Sequence, residues 1–239
     1  PIDVDSQVVE WIGDARLVLM ALSLGDHQSV QLAASLASQA RRRGAVVLIW
    51  AHHPLYSSRI RIEAPAEQSL LILEQSAHIV VELAKDNAWR EAPSTQPHGP
   101  TDPWRDGVIA GMVWSIEDIC GLVGRFPMSD ALGEIMTLFP GLRSQPGGSG
   151  AYRGRIGLGW AEAEESTQTA LIRAISSPLL GQHGLSQSLQ VLVIVSGGED
   201  REANLAQQVG AAIMDHCPAG VDVLYGRVPY SQAGSKMGI

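Results

Sequence analysis

The sequence contains very little lysine and cysteine. Lys85 and Lys236 are its only lysines, so arginine carries most of the positive charge. The formal net charge of -8 disfavours binding to nucleic acid or to anionic membranes, because both attract clustered cations. The two cysteines, Cys120 and Cys217, lie in apolar helical segments. This is typical of small core residues in a reducing compartment and not of a disulfide framework.

Long apolar segments and metal-binding spacings are also missing. No apolar run approaches the roughly 20 residues of a membrane span, and no signal peptide precedes the first predicted element. No cysteine and histidine spacing resembles a zinc site. The pair His52-His53 precedes Pro54, which favours a turn with surface histidines. We therefore expect a cytoplasmic protein without a metal, a nucleic-acid partner or membrane insertion. Because the chain starts at Pro1, some N-terminal sequence is expected to be missing.

The first third of the chain alternates between apolar runs and amphipathic segments. A hydrophobic content of 45% is sufficient for a core. Continuous apolar strands separated by helices indicate a parallel, doubly wound sheet. The predicted strands are Ala15–Leu22, Ala45–Ala51 and Ile79–Leu83, and the predicted helices are Ser29–Arg43, which Gly44 ends, and Ala64–Ser76.

The rest of the chain has a different organisation. Four prolines mark residues 92–103 as a loop, and residues 104–124 form one long predicted helix. Gly147–Gly154 is glycine-rich and is predicted to be a mobile loop. After it the sequence predicts strands at Arg155–Ala161, Gln190–Ser196 and Val221–Val228, and helices at Thr167–Ser176 and Arg201–His216.

Several of these segments carry an unusual combination of residues. Ala174–Leu180 reads AISSPLL, and it is accompanied by Gly157-Leu158-Gly159, Leu185-Ser186, Val191–Val193 and Val209-Gly210. This combination resembles the C-terminal domain of the bacterial cell-division protein FtsZ, the prokaryotic relative of tubulin.

The resemblance implies an α/β fold with a partial doubly wound parallel-sheet domain, a long connecting helix and an α+β C-terminal domain. In that layout residues 1–103 are a remnant of the nucleotide-binding, Rossmann-like domain. Residues 104–124 are the central connecting helix, and residues 125–239 are the FtsZ-like C-terminal domain.

The resemblance also directs attention to the phosphate loop. FtsZ relatives hold GTP with a GGGTGTG loop, whose glycines let backbone N–H groups surround the phosphates. The matching segment here is Gly25–Gln31, GDHQSVQ, in which only Gly25 is glycine. Asp26 places a carboxylate where the phosphates would lie, which favours a helix-capping role for Asp26 or Ser29. In the alternative, Gln28 and Ser29 hydrogen-bond a smaller anion.

The second catalytic part of the family is an N-x-D-x-x-D loop after the central helix. The matching segment, Gly124–Leu132, has one acid, Asp130, which is displaced by one residue and would also serve as a helix cap. Asp106 lies within one position of the acid that contacts guanine in the family. If a nucleotide binds, the expected ligands are therefore Gly25, Gln28, Ser29 and Asp106, with Asp130 the only candidate catalytic acid.

Three hypotheses follow. In the favoured one, an FtsZ-like pseudo-GTPase without a cofactor acts through self-assembly or through another FtsZ-like or cell-division protein. If the first strands of the family are absent, strand Ala15–Leu22 exposes an apolar sheet edge, which predicts a homo-oligomer or a partner complex. In the second, the chain belongs to an active, filament-forming GTPase with GTP as its cofactor, whose first glycine loop lies outside this sequence. In the third, an unrelated small-molecule enzyme uses the strand ends near Ser23 and His52.

Overall fold

The computed structural model describes residues 12–53, 63–83, 151–161, 166–180, 184–196, 205–228 and 237–238. The chain divides into two compact units. The first consists of residues 1–83 and 141–155, and the second of residues 84–140 and 156–239. The domain boundaries predicted at residues 103/104 and 124/125 lie outside the described residues, as does the predicted helix between them.

The first unit is built on a four-stranded parallel sheet in the order β1-β2-β3-β4. This confirms the parallel sheet that the apolar strands predict. One prediction is wrong, because the end of the expected glycine-rich loop forms β4. The elements are β1 (Leu17–Ser23), α1 (His27–Arg42), β2 (Val46–His52), α2 (Glu63–Ser76), β3 (Ile79–Leu83) and β4 (Tyr152–Gly154).

Helices α1 and α2 cover one face of this sheet. Residues at helical spacing on α1 are buried against alternate residues of the strands, including Val47, Ile49 and Val80. Each large aliphatic side chain buried in this way stabilises the fold by about 1.5–3 kcal/mol. The buried helix residues are Val30, Ala33, Ala34, Ala37 and Ala40 on α1 and Ala66, Leu70 and Leu73 on α2.

Strands β1 and β2 are both apolar but differ in burial. Val46–Trp50 of β2 is buried on both faces, as is expected of an interior strand. Most residues of β1 are only half-buried, and Ala21 is exposed. Within the described residues, β1 therefore occupies an edge of the sheet.

Helix α1 ends in a local turn. Gly44 has φ 86°, a torsion that glycine adopts without steric cost. The N–H of Gly44 donates to the carbonyl of Arg41 at 2.9 Å, and that of Ala45 donates to Ala40 at 3.0 Å. This pair of bonds is the Schellman arrangement, and it confirms the predicted stop at Gly44.

His78 lies in the turn before β3 and forms a hydrogen bond with the beginning of β2. The N–H of Val47 donates to Nδ1 of His78 at 3.0 Å, so the imidazole must accept with an unprotonated nitrogen. Desolvation, followed by the positive charge of Arg41, lowers the pKa of His78 from 6.5 to about 4. The folded state therefore selects the neutral imidazole.

This preference predicts an acid-dependent loss of stability. The unfolded chain protonates His78 first as the pH falls, so stability that is complete above pH 6.5 is lost between pH 6.5 and about 4. Because His78 is only half-buried, we expect a loss of about 1–2 kcal/mol, below the full value of the shift. Denaturant unfolding at stepped pH should show this slope in the wild type and in the exposed-site control His27→Asn. The slope should be smaller in His78→Asn, and equal slopes in all three proteins would contradict the assignment.

The second unit combines a mixed sheet with two helices. The described strands lie in the order β5-β8-β6-β7, with β6 and β7 parallel and β8 antiparallel to both β5 and β6. The elements are β5 (Trp160–Ala161), α3 (Thr167–Ile175), a single 3₁₀ turn (Pro178–Leu180), β6 (Gln190–Ser196), α4 (Leu205–Met214), β7 (Asp222–Val228) and β8 (Met237–Gly238).

The core of this unit lies between the sheet and its helices. Alternate residues of β6 face the helices, while α3 and α4 each contribute two or three buried residues. The buried set is Ala161, Ala170, Leu171, Val193, Val195, Val209 and Ile213. Among the described residues of both units, no helix is both long and apolar enough to cross a membrane.

The AISSPLL segment forms the end of α3 and the turn after it. The N–H of Ser176 donates to the carbonyl of Ile172 at 2.9 Å, and the helix stops before Pro178 as predicted. The N–H of Leu180 then donates to Ser177 at 3.0 Å, which directs Leu179 and Leu180 into buried positions.

The strand predicted at Arg155–Ala161 is wrong over residues 155–159. Only Trp160–Ala161 pairs in the sheet, and the preceding residues run against α3. A Cβ atom at Gly159 would overlap the carbonyl oxygen of Ala170, and one at Gly157 would overlap that of Ala174. The glycines therefore allow backbone to lie directly on helix backbone.

This close approach predicts a severe effect of one methyl group. Gly159→Ala should lower the free energy of unfolding by about 3 kcal/mol or more, because neither backbone can move aside. Gly154→Ala is the matched control, since the nearest atoms to its new methyl would be side-chain atoms of Val81 at 3.3 Å and Ile79 at 3.6 Å, with no backbone atom nearer than 3.8 Å. Denaturant midpoints measure both changes, and equal costs for the two variants would contradict the packing described.

Candidate functional site

The turn between β1 and α1 lies at the carboxyl edge of the parallel sheet, where ligands bind in folds of this type. The N–H of Leu24 donates to the carbonyl of His52 at 2.9 Å, and Leu24 is buried. The N–H of Asp26 donates to the carbonyl of Ser23 at 3.3 Å. Gly25 does not adopt a positive φ. The turn is therefore short and is tied to both neighbouring strands.

Asp26 is the N-cap of α1. Its Oδ1 accepts the N–H of Gln28 at 3.1 Å, and its Oδ2 accepts the hydroxyl of Ser29. The Ser29 hydroxyl is the main cause that lowers the pKa of Asp26, and the backbone N–H groups of Ser29 and Gln28 add to it. The carboxylate is therefore ionised at neutral pH. This matches the helix-capping interpretation of Asp26 drawn from the sequence.

The cap determines what the site can bind. A helix N-terminus attracts anions through its unpaired N–H groups and the positive end of its dipole. Here the side chain of Asp26 already supplies an anion to the N–H of Gln28 and to the Ser29 hydroxyl. A second anion at the same place would meet a like charge and donors that are already engaged.

The structure brings some predicted site residues together. Gly25, Gln28 and Ser29 all lie within the turn and the first turn of α1. Asp106 and Asp130 fall outside the described residues. Ser23 and His52 are paired in the register of β1 and β2, so the two strand ends named in the enzyme hypothesis are neighbours.

A charged cluster at the same sheet edge was missed by the sequence analysis. Nε2 of His53 lies 2.9 Å from Oε1 of Glu82, whose side chain is only 3% exposed. Oε2 of Glu82 lies 3.9 Å from Nη1 of Arg153, which pairs with Glu74 at 2.7 Å. The sequence does contain a feature that could have revealed this cluster. Glu82 is an acid within the apolar strand Ile79–Leu83, and a buried carboxylate needs a partner.

His53 is thus not the surface histidine that the sequence favours. Its side chain is 16% exposed and is held by Glu82, whereas Nδ1 of His52 lies 3.3 Å from the carbonyl of His53. Burial opposes the charge of Arg153, but its hydrogen bond to Glu74 and the charges of Glu74 and Glu82 raise the pKa of the guanidinium. In the described part of the chain, no three His, Cys, Asp or Glu side chains are placed to hold a metal ion.

The cluster predicts unequal costs for its two acids. Glu82→Ala should lower the free energy of unfolding by about 2–4 kcal/mol, because it leaves His53 and Arg153 without their buried partner. Glu74 also pairs with Arg153, but its side chain is more exposed than that of Glu82. Glu74→Ala should therefore cost about 1 kcal/mol or less. Denaturant unfolding compares them, with Glu82→Gln expected to be intermediate. A smaller loss for Glu82→Ala than for Glu74→Ala would contradict the structure.

The described part of the fold combines a parallel sheet, whose first described crossover starts at a helix-capping turn, with a second unit in which β6 and β7 are parallel. No family model matches the chain. Sequence relatives and solved structures nevertheless agree, and together they support membership of the FtsZ/tubulin superfamily.

The curated relatives that match are cell-division proteins. The chain is 22% identical over 222 residues to FtsZ 2 of Rhizobium meliloti (strain 1021), covering 93% of this chain and 61% of that protein. It is 24% identical over 226 residues to FtsZ of Helicobacter pylori (strain ATCC 700392 / 26695), covering 93% and 55%. The chain therefore spans little more than half the length of these relatives.

Solved structures share the fold at lower identity. An empty FtsZ dimer from M. jannaschii superposes with a TM-score of 0.79 at 16% identity, covering 99% of this chain and 65% of that one. CetZ from Methanosaeta thermophila strain DSM 6194 superposes with a TM-score of 0.67 at 14% identity, covering 99% and 64%. These similarities support the FtsZ-like α/β fold predicted from the sequence.

Proposed function

We propose that the chain is an FtsZ-like protein that acts through self-assembly or partner binding and lacks competent GTP binding and hydrolysis. In this proposal it uses no cofactor and works in the cytoplasm. Its partner is a second copy of itself or another FtsZ-like or cell-division protein. Residues 1–103 are the remnant of a nucleotide-binding domain, residues 104–124 the connecting helix and residues 125–239 the C-terminal domain.

The capping contacts of Asp26 carry the proposal. A phosphate cradle needs free N–H groups at the helix start and a backbone open enough to surround the ligand. The carboxylate of Asp26 takes up the N–H of Gln28 and the hydroxyl of Ser29. The same turn carries Asp26, His27 and Gln28 as side chains that project where a cradle has glycines.

Hydrolysis would need further groups. Phosphoryl transfer requires the phosphate cradle, an attacking water and a residue that positions it, all in place together. With the cradle occupied by Asp26, we propose that neither Asp106 nor Asp130 completes a working site. If a nucleotide did bind, Gly25, Gln28, Ser29 and Asp106 would be its contacts, and Asp130 would be the catalytic acid.

Assembly is supported by the relatives and by the sheet. One solved structure with this fold is described as an FtsZ dimer, and the curated relatives are division proteins. Strand β1 is apolar and half-exposed along most of its length. An edge of this kind favours pairing with another chain, so a homo-oligomer is the expected state.

Equilibrium binding of labelled GTP to the full-length protein tests the proposal. We expect no saturable binding up to about 1 mM, an affinity too weak for a nucleotide-dependent protein. Asp26→Asn and Asp14→Asn form a matched pair, since each removes one exposed carboxylate from the first unit. Any residual binding should strengthen only in Asp26→Asn, because only that carboxylate lies at the start of α1.

The contrary result is equally definite. Micromolar binding by the wild type that is abolished by changing Gly25 and Ser29 would replace this proposal with the active GTPase. In that case GTP would be the cofactor, and hydrolysis should disappear with Asp130→Ala.

A further inference from the structure

The turn at Ala77-His78 connects β3 to both of its neighbouring strands. The N–H of His78 donates to the carbonyl of Val47 at 3.0 Å, and Nδ1 of His78 accepts the N–H of Val47 at 3.0 Å. On the other side, the carbonyl of His78 accepts the N–H of Tyr152 at 2.9 Å. One residue at the beginning of β3 therefore contacts both β2 and β4.

The same turn is fixed to the helices above the sheet. Nη1 of Arg41, on α1, donates to the carbonyl of Ala77 at 3.0 Å and to that of Gln75 at 3.4 Å. The N–H of Ala77 donates to the carbonyl of Leu73 at 2.8 Å. The last carbonyls of a helix have no partner within the helix, so Arg41 stabilises both the end of α2 and the turn that follows it.

Polar contacts hold β4 against β3 and α2. The strand has three residues, of which Tyr152 and Arg153 are exposed. The N–H of Ala151 donates to the carbonyl of Glu74 at 2.8 Å, and the side chain of Glu74 pairs with Arg153 at 2.7 Å. A short strand with few buried apolar contacts opens at low cost in free energy. The attachment of β4 therefore depends on these contacts and on the hydrogen bond from Tyr152 to His78.

The imidazole of His78 responds to acid. Its Nδ1 can accept the N–H of Val47 only while that nitrogen carries no proton. Desolvation, followed by the positive charge of Arg41, lowers the pKa of His78 from 6.5 to about 4. The charged residues on α2 and β4 beside the turn, Glu74 and Arg153, pair with each other. As the pH falls through this range, protonation favours an open turn, in which His78 is in water, over the closed one.

We propose that the turn at Ala77-His78 is an acid-sensitive latch, which holds β4 in the sheet and releases it when His78 is protonated. The remainder of the sheet stays folded. Residues 141–155 belong to the first unit, and the chain passes into the second unit at Ile156. Release of β4 would therefore free the segment through which the chain leaves the first unit. The inference goes beyond the proposed function and requires neither GTP binding nor self-assembly.

Hydrogen exchange of single backbone amides in the full-length protein tests the latch. At about pH 7.5 the amide of Tyr152 should be at least tenfold less protected than that of Ile49, which is buried in the interior strand β2 and should exchange only when the unit unfolds. Between about pH 7.5 and pH 5 the protection factor of Tyr152 should fall about tenfold further, less than the full shift in pKa allows because His78 is only half-buried.

Variants separate the trigger from the contacts that hold the strand. His78→Asn keeps an oxygen that can accept the N–H of Val47 but does not titrate, so Tyr152 should lose most of its pH dependence. The control His27→Asn removes an exposed histidine from the start of α1 and should retain that dependence. Arg153→Gln should lower the protection of Tyr152 at both pH values, because it weakens the attachment of β4 and leaves His78 in place.

Two results would overturn the latch. Equal protection of Tyr152 and Ile49 at each pH would mean that β4 leaves the sheet only when the whole unit unfolds. An equal fall in acid in the wild type and in His78→Asn would mean that another group is the trigger. The first comparison uses the wild type alone, so it is decisive even if a variant does not fold. Neither measurement involves a nucleotide or an oligomer, so failure of the latch and failure of the proposed function are distinguishable.

Discussion

The contact between the carboxylate of Asp26 and the first turn of α1 is the constraint on which the functional interpretation depends. It satisfies donors that a helix start would otherwise offer to an anion. It also fixes the short turn that links β1 to its crossover helix. At this sheet edge the start of α1 is therefore closed by a carboxylate of its own turn.

A second constraint is the direct backbone packing in the other unit. The backbone of Gly157 packs against that of Ala174 on α3, and the backbone of Gly159 packs against that of Ala170. Four small residues therefore determine how the chain enters β5. This explains why AISSPLL and the glycine pair occur together. The resemblance rests on residues that must be small or must turn.

Most of the fold could be predicted from the sequence. Among the described residues, apolar runs and helical spacing located each strand and helix of the parallel sheet except β4, and β3 and β6 have the predicted bounds. The failures are the short strands β4, β5 and β8, whose pairing depends on distant partners and not on local pattern. The capping role of Asp26 was predictable because it is local. The Glu82 cluster was not found, because its members are far apart in the sequence.

The buried position of Glu82 has a consequence for strand alignment. The interior strands are aliphatic, so sliding one by two residues keeps each side chain on its own face and is only weakly opposed by hydrophobicity. Glu82 contacts His53 after β2 and approaches Arg153 on β4. Such a slide would separate the carboxylate from both of these side chains. The contacts of Glu82 therefore favour one alignment of β2, β3 and β4 over the alternatives that hydrophobicity alone would allow.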